Sequence, residues 1–224
     1  MVKPAAPLDG DPGEPSSMAE AAYRAIQDRL IRLDIRPGAP ISEEELCQRL
    51  SLGRTPVREA LKRLELERLV VTYPRRGTFA TEINVTDLTY ISEIREQLEP
   101  AAAAGAARRA TGADRAGFRA LAGELSAATG RRERPDELMT LDMRIHRAVY
   151  AAAHNPYLED TLIRYGNLAT RIWCLFLDRL EGMAAHVGEH AELLAALIGA
   201  DAVRAAEIAR RHVTEFDKAV RAVM

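Results

Sequence analysis

The chain has 224 residues, of which 47% are hydrophobic and 29% charged, the balance of a globular protein with one large or two small domains. Lys and Arg number 31 against 33 Asp and Glu, for a net charge of −2. That excludes a uniformly basic coat protein and leaves room for a local basic patch. Aromatic residues are only 5%, while Ala, Leu and Arg are plentiful, which favours helix over sheet.

In chain order, residues 1–17 hold Pro, Gly, Asp and Glu without an apolar stretch. They predict a disordered lead-in, not a secretory signal. Tyr23, Ile26, Leu30 and Leu33 then share one helical face, and Arg36-Pro37-Gly38 ends that helix. Ser42 and Glu45 have the spacing of a capping box for a short helix through Leu50. After the Leu52-Gly53 turn, Thr55-Pro56 predicts a third helix, with Thr as cap and Pro in its first turn, running to about Arg68. Two β-prone runs, Leu69–Thr72 and Thr78–Thr81, flank Pro74-Arg75-Arg76-Gly77 and predict a hairpin. Three helices and a two-stranded hairpin make a winged helix-turn-helix over residues 18–82.

The charge pattern suits that fold. Val57, Ala60, Leu61 and Leu64 form the apolar stripe of the third helix, and Arg54, Arg58 and Lys62 step along its other side. From Gln48 to Arg76 there are eight cations and three anions, a local net of +5. A helix and a hairpin tip so charged suit a phosphate backbone, with arginine at the helix start able to read guanine in the major groove. A solvated Arg/Glu surface helix is the bland alternative.

From Asn84 to Met224 the pattern is helical almost throughout. Six helices are predicted: one from Thr86 or Asp87 through about Arg109, then Ala113–Thr129, Pro135–His154, Tyr157–Leu180, Met183–Ile198 and Ala202–Val223. Together they predict an all-helical bundle over residues 84–224. The fold class is thus mainly α. There is no GxGxxG, P-loop or GxSxG motif, and no nucleophile placed beside a base. The two cysteines, Cys47 and Cys174, are far apart in apolar surroundings and predict a reduced, cytoplasmic protein. No apolar run approaches the length that spans a bilayer.

Several polar residues fall on apolar faces of the bundle. Asp142 and His146 are four apart beside Leu138, Leu141, Ile145 and Val149. His190 lies in the stripe of Leu193 and Leu194, and His212 between Ile208 and Phe216. A turn at Gly199-Ala200-Asp201 puts His190 about 15 Å and His212 about 18 Å from it along antiparallel helices, hence at one level. Three histidines and one aspartate facing inward form a donor set for a divalent metal such as zinc, nickel or manganese. The alternative is four unrelated, hydrogen-bonded core residues. His186, one turn before His190, would replace it as ligand or sit at the helix edge. Arg95 lies in an apolar stripe with Ile91, Leu98 and Ala102 and needs an anion. That anion is either Glu99 four residues on or the carboxylate of a ligand.

These residues carry a resemblance. The run Leu52-Gly53-Arg54-Thr55-Pro56-Val57-Arg58-Glu59-Ala60-Leu61, with the Arg76-Gly77-Thr78-Phe79 wing, resembles the DNA-binding domain of GntR-family bacterial transcription regulators. Glu93 to Pro100, Leu141-Asp142 to His146, His154 to Leu158, Glu189-His190 and His212 resemble the FCD-type ligand-binding domain of the FadR subfamily. The resemblance implies a homodimer on a palindromic operator in double-stranded DNA, acting as a repressor, with a small metabolite as effector; the Arg95 and metal-donor pattern makes that metabolite a small carboxylate. It implies DNA contacts from Arg54, Thr55, Arg58, Lys62, Arg76 and Gly77, a divalent metal, zinc in the first instance, on Asp142, His146, His190 and His212, and effector binding by Arg95. It implies no catalysis. A metal-dependent hydrolase and a regulator with a purely structural metal are the rival expectations. Gly53 stands where the family usually has Ser, and Glu44 where some members place an arginine.

Overall fold

The computed structural model describes residues 17–129, 134–179 and 183–224. The predicted lead-in therefore lies outside the described residues, apart from Ser17. The chain divides into two compact units.

The first unit spans the described residues up to Val85 together with Thr170–Cys174. Helix α1 (Met18–Ile31) starts at Ser17, whose hydroxyl accepts from the Glu20 amide. It buries Tyr23, Ile26, Leu30 and Ile31 and packs on α3 (Arg54–Leu66). Leu33, predicted on the same stripe, lies past the helix end with φ 64°. Helix α2 (Glu43–Leu50) starts at Ser42, which accepts from Glu45 as its spacing predicts, and closes on Ser51 at φ 55°. Helix α3 covers Arg54–Leu66 and buries Val57, Ala60, Leu61 and Leu64. Its cap is Gly53, with no side-chain hydrogen bond, so the helix begins one residue before the predicted Thr55 cap. The extended backbone at Gly53 serves as the N-cap without a side chain.

Strands β2 (Val70–Tyr73) and β3 (Gly77–Ala80) pair antiparallel, as the hairpin pattern predicts. A third strand, β1 (Pro40–Ile41), pairs with the other edge of β3, Pro40 opposite Phe79 and Ile41 opposite Thr78. The sheet is thus three-stranded, in the order β1-β3-β2, where two strands were expected. The wing turn needs left-handed backbone at Arg75 (φ 64°) and Gly77 (φ 93°), and glycine takes the latter without strain.

Arg171 also belongs to this unit. It is 2% exposed. Its Nε donates to the Leu30 carbonyl at the end of α1, and its two terminal nitrogens donate to Thr81 Oγ1 and the Thr81 carbonyl. One guanidinium fork thereby ties the exit of α1 to the exit of β3. Burial pushes its pKa down to about 10.

The second unit comprises residues 86–169 and 175–224. It holds α4 (Asp87–Arg109), α5 (Gly112–Thr129), α6 (Pro135–Ala152), most of α7 (Pro156–Cys174), a single 3-10 turn at Leu177–Arg179, α8 (Met183–Gly188), α9 (His190–Ile198) and α10 (Ala202–Val223). Helix α10 lies along α4, where Ala102, Ala103, Ala106 and Ala107 are fully buried and allow the backbones to approach. The single predicted helix Met183–Ile198 is two helices, broken at Glu189. His190 Nδ1 meets the Val187 carbonyl at 3.1 Å, so a side chain occupies an acceptor the helix ladder would use, just beside the flexible Gly188. The predicted helix Tyr157–Leu180 ends earlier, at Cys174.

Candidate metal centre and DNA-binding surface

In the helical unit, α6 presents Asp142 and His146, α9 presents His190 at its first turn, and α10 presents His212. All four are at most 8% exposed. One donor atom from each lies within 4.8 Å of the others. Donors bound to one ion at about 2.0–2.2 Å lie no more than about 4.4 Å apart even when trans, so the four need only a slight contraction to share a cation. The turn before α10 achieves what its spacing predicts, with the His190 and His212 rings 4.2 Å apart between centroids.

Each histidine has one ring nitrogen taken by an acceptor outside the cluster. His146 Nδ1 lies 3.0 Å from Glu99 Oε2, with the Tyr150 hydroxyl at 3.2 Å. His190 Nδ1 faces the Val187 carbonyl, and His212 Nδ1 lies 3.0 Å from Glu189 Oε2. Carbonyls and carboxylates only accept, so the Nδ1 atoms carry the protons and the Nε2 lone pairs turn inward. His146 Nε2 and His190 Nε2 then stand 3.4 Å apart. Asp142 Oδ1 is buried with no hydrogen-bond partner among the described residues. Nitrogens of His186, His190 and His212 stand around it at 3.6, 3.8 and 3.9 Å, too far for hydrogen bonds. What the arrangement lacks is positive charge at its centre, and a divalent cation supplies it. The donor set therefore fits a metal.

Protonation follows the same geometry. Burial opposes charge on His146, but the Glu99 and Asp142 carboxylates outweigh it and raise its pKa. Burial pushes His190 down to about 4 and His186 down to about 3, and lowers His212 well below the usual value. The cluster thus presents mostly neutral imidazoles, the form that ligates metal.

Arg95 is 4% exposed, with its Nε 2.7 Å from Glu99 Oε1. Of the two anions weighed for Arg95, the structure supplies Glu99. Burial opposes charge on Glu99, but Arg95 and His146 hold its carboxyl well below the usual range. Glu99 therefore joins Arg95 on its own helix to His146 on α6. Its i+4 spacing signals the first contact, and nothing in the sequence signals the second. Tyr150, Glu189 and the core position of His186 were likewise missed. Tyr150 had a signal, being four residues after His146.

His186, Glu189 and His212 form a second cluster of donors. It shares His212 with the first, and the His186 and His212 rings are stacked at 4.1 Å with a 14° interplanar angle. Imidazole lone pairs lie in the ring plane. An ion in the plane of one stacked ring lies well out of the plane of the other, so this grouping does not make a separate metal site.

In the winged-helix unit, Arg54, Thr55, Arg58, Lys62, Arg76 and Gly77 are all exposed. The first four lie on α3 outside its buried stripe, and the last two at the wing turn. Arg58 Nε is 2.7 Å from Glu43 Oε2 at the start of α2. No helix among the described residues is long and apolar enough to cross a membrane.

Comparison with known proteins defines the class. Residues 18–80 match the bacterial regulatory proteins of the gntR family, and residues 90–215 match the FCD domain. The chain belongs to the GntR family of DNA-binding transcriptional regulators, in the branch that carries an FCD domain. It is a family of regulators, not of enzymes. The chain is 25% identical over 201 residues to the HTH-type transcriptional repressor RspR of Escherichia coli K12, covering 90% of this chain and 88% of that one. It is 31% identical over 157 residues to the galactonate operon transcriptional repressor of the same organism, covering 61% of this chain and 67% of that one. Among solved structures, E. coli McbR/YncC shares the fold with a TM-score of 0.77 at 22% identity, over 92% of this chain and 98% of that one.

Proposed function

We propose that the protein is a ligand-responsive repressor that binds a palindromic operator as a homodimer. In this reading residues 18–82 are the DNA-binding domain and residues 84–224 the sensing and dimerisation domain. The helical domain senses a small carboxylate through a divalent ion. The observation that carries the sensing half is the buried gathering of one donor atom each from Asp142, His146, His190 and His212 within 4.8 Å of one another, around an Asp142 Oδ1 that has no hydrogen-bond partner among the described residues. Asp142, His146, His190 and His212 would hold the ion, and three imidazoles with one carboxylate suit zinc, with nickel or manganese as alternatives. When bound, such an ion would supply Lewis-acid attraction for a carboxylate oxygen. Arg95, engaged by Glu99, then acts by fixing the Glu99 carboxylate against His146. One relative takes its name from the galactonate operon, and galactonate is a sugar acid, which supports a carboxylate effector.

On the DNA side, Arg54, Thr55, Arg58 and Lys62 enter the major groove, and Arg76 and Gly77 meet the backbone at the wing. Effector binding shifts the dimer between states of different operator affinity. A coupling of about 1–3 kcal/mol gives a 5–150-fold change.

The burial of all four donors favours a second reading, in which the ion is structural. Metal analysis of the purified chain beside a His190→Ala/His212→Ala variant tests the site. About one divalent ion per chain, lost in the variant, is the expected result, and none in either refutes the metal reading. A carboxylate panel in gel-shift titrations then separates sensing from structure. If chelation lowers the melting temperature and no carboxylate alters operator affinity, the structural reading stands. Arg58→Ala weakens operator binding by about 1–3 kcal/mol with the fold intact, and unchanged binding removes Arg58 from the interface.

A further inference from the structure

We propose that His186 is a positioning residue of the metal centre, holding His212 and Asp142 in their ligating pose without binding the ion itself. The proposal rests on the metal reading above.

The ring of His186 is stacked on His212 at 4.1 Å and on Phe216 at 3.8 Å, with a 14° interplanar angle in both cases. A ring has two faces, and two parallel rings this close must take one each. His186, carried on α8, is therefore a wedge between two side chains four residues apart on α10. The wedge fixes the plane of the His212 ring. From the far edge of that ring, Glu189 takes the Nδ1 proton at 3.0 Å. The stack and the hydrogen bond together leave His212 Nε2 one direction, toward Asp142.

The same wedge faces Asp142. Its Nε2 lies 3.6 Å from Asp142 Oδ1, nearer than the nitrogens of His190 at 3.8 Å or His212 at 3.9 Å. That ring edge packs against the carboxylate and limits its rotation without completing a hydrogen bond. The stacking also argues against His186 as a ligand. It is parallel to His212, so the two rings cannot both direct in-plane lone pairs at one ion. His186 thus supports the centre as the outer partners Glu99 and Val187 do, by orienting a ligand rather than adding one.

The test uses the full chain. Zinc affinity is measured by competition with a chromophoric chelator for wild type, His186→Ala and His186→Phe, and imidazole 15N shifts of the wild type are recorded with and without zinc. His186→Ala is expected to lose ten- to a hundredfold in affinity. His186→Phe keeps a flat ring between His212 and Phe216 and is expected to recover most of that loss. Zinc should move the Nε2 resonances of His146, His190 and His212 into the metal-bound range and leave His186 outside it. Should His186→Ala not fold, the Phe variant and the wild-type spectra decide alone. If His186 Nε2 moves with the other three, it is a ligand and the proposal fails. If both variants bind zinc as tightly as wild type, it has no part in the centre and the proposal fails while the metal reading stands. If the wild type binds no zinc and no resonance moves, the metal reading itself is overturned and the proposal with it.

Discussion

Asp142→Asn tests the buried cluster by the sign of its effect. The Asp142 side chain is 3% exposed, and its Oδ1 has no hydrogen-bond partner among the described residues. An unsatisfied buried acceptor costs about 1–3 kcal/mol, and more when charged. Asparagine keeps the shape and removes the charge. In chelator-treated protein the variant should therefore melt no lower than wild type. Each kcal/mol recovered raises the midpoint by about 2–4 °C for a chain of this size. With zinc the order reverses. Zinc at a hundred times its Kd stabilises the wild type by about 2.7 kcal/mol, or about 5–11 °C. The variant has lost its anionic donor and should gain little. The assay is a pair of thermal scans, with chelator and with graded zinc, following the transition that zinc moves in the wild type. Equal destabilisation by Asp142→Asn with and without zinc would refute the reasoning. It would mean that the carboxylate serves as an ordinary ion-pair partner for His146, which lies 3.9 Å away.

Three further outcomes follow from particular contacts. Arg58 is held by Glu43 at 2.7 Å in an exposed pair, which DNA must break; exposed pairs are worth at most about 1 kcal/mol. Glu43→Gln should therefore tighten operator binding up to about fivefold in a gel-shift titration, and weaker binding would show that the pair orders Arg58 for its contact. Arg171→Leu removes the guanidinium donors from the Leu30 carbonyl, Thr81 Oγ1 and the Thr81 carbonyl, a cost of about 2–4 kcal/mol readable in the urea unfolding of the winged-helix unit; a loss under about 0.5 kcal/mol would show that water replaces the fork. Burial pulls the Asp114 pKa up, but the Thr111 donors and His154 outweigh it, so the folded value lies below 3.8. The stability this group contributes is present above that ordinary value and lost as pH falls through the folded one. Asp114→Asn should cost under about 1 kcal/mol at neutral pH, since the pair is largely exposed, and the gap from wild type should close below about pH 4 in chemical denaturation; a gap that persists in acid would assign the effect to something other than charge.

The parts of this molecule that were legible in sequence are those set by period and by local chemistry. The α3 stripe, the Ser42 cap and the apolar faces carrying Asp142, His146, His190 and His212 all follow from residues within a few positions of each other. The approach of His190 to His212 needed only the rise per residue and one turn. Strand β1 was not legible, because two residues beginning with proline show no alternation and pair only because β3 has an open edge. The break at Glu189 depends on the His190 ring finding the Val187 carbonyl, a contact that no propensity encodes.

The same limit applied to the site, and there it has a chemical consequence. Histidine offers two nitrogens, and the one left for a metal is decided by where the other proton goes. For His146 the acceptor is Glu99, 47 positions earlier in the sequence on a different helix; for His212 it is Glu189, 23 positions earlier. For His186 the deciding neighbours are the faces of His212 and Phe216, on another helix again. Spacing can nominate a set of ligands because each lies on its own helix face. Which nitrogen each offers, and which histidine is a wedge rather than a ligand, is fixed only when five helices meet. That is why His186 and His190, one turn apart and equivalent by period, have different roles in the folded chain.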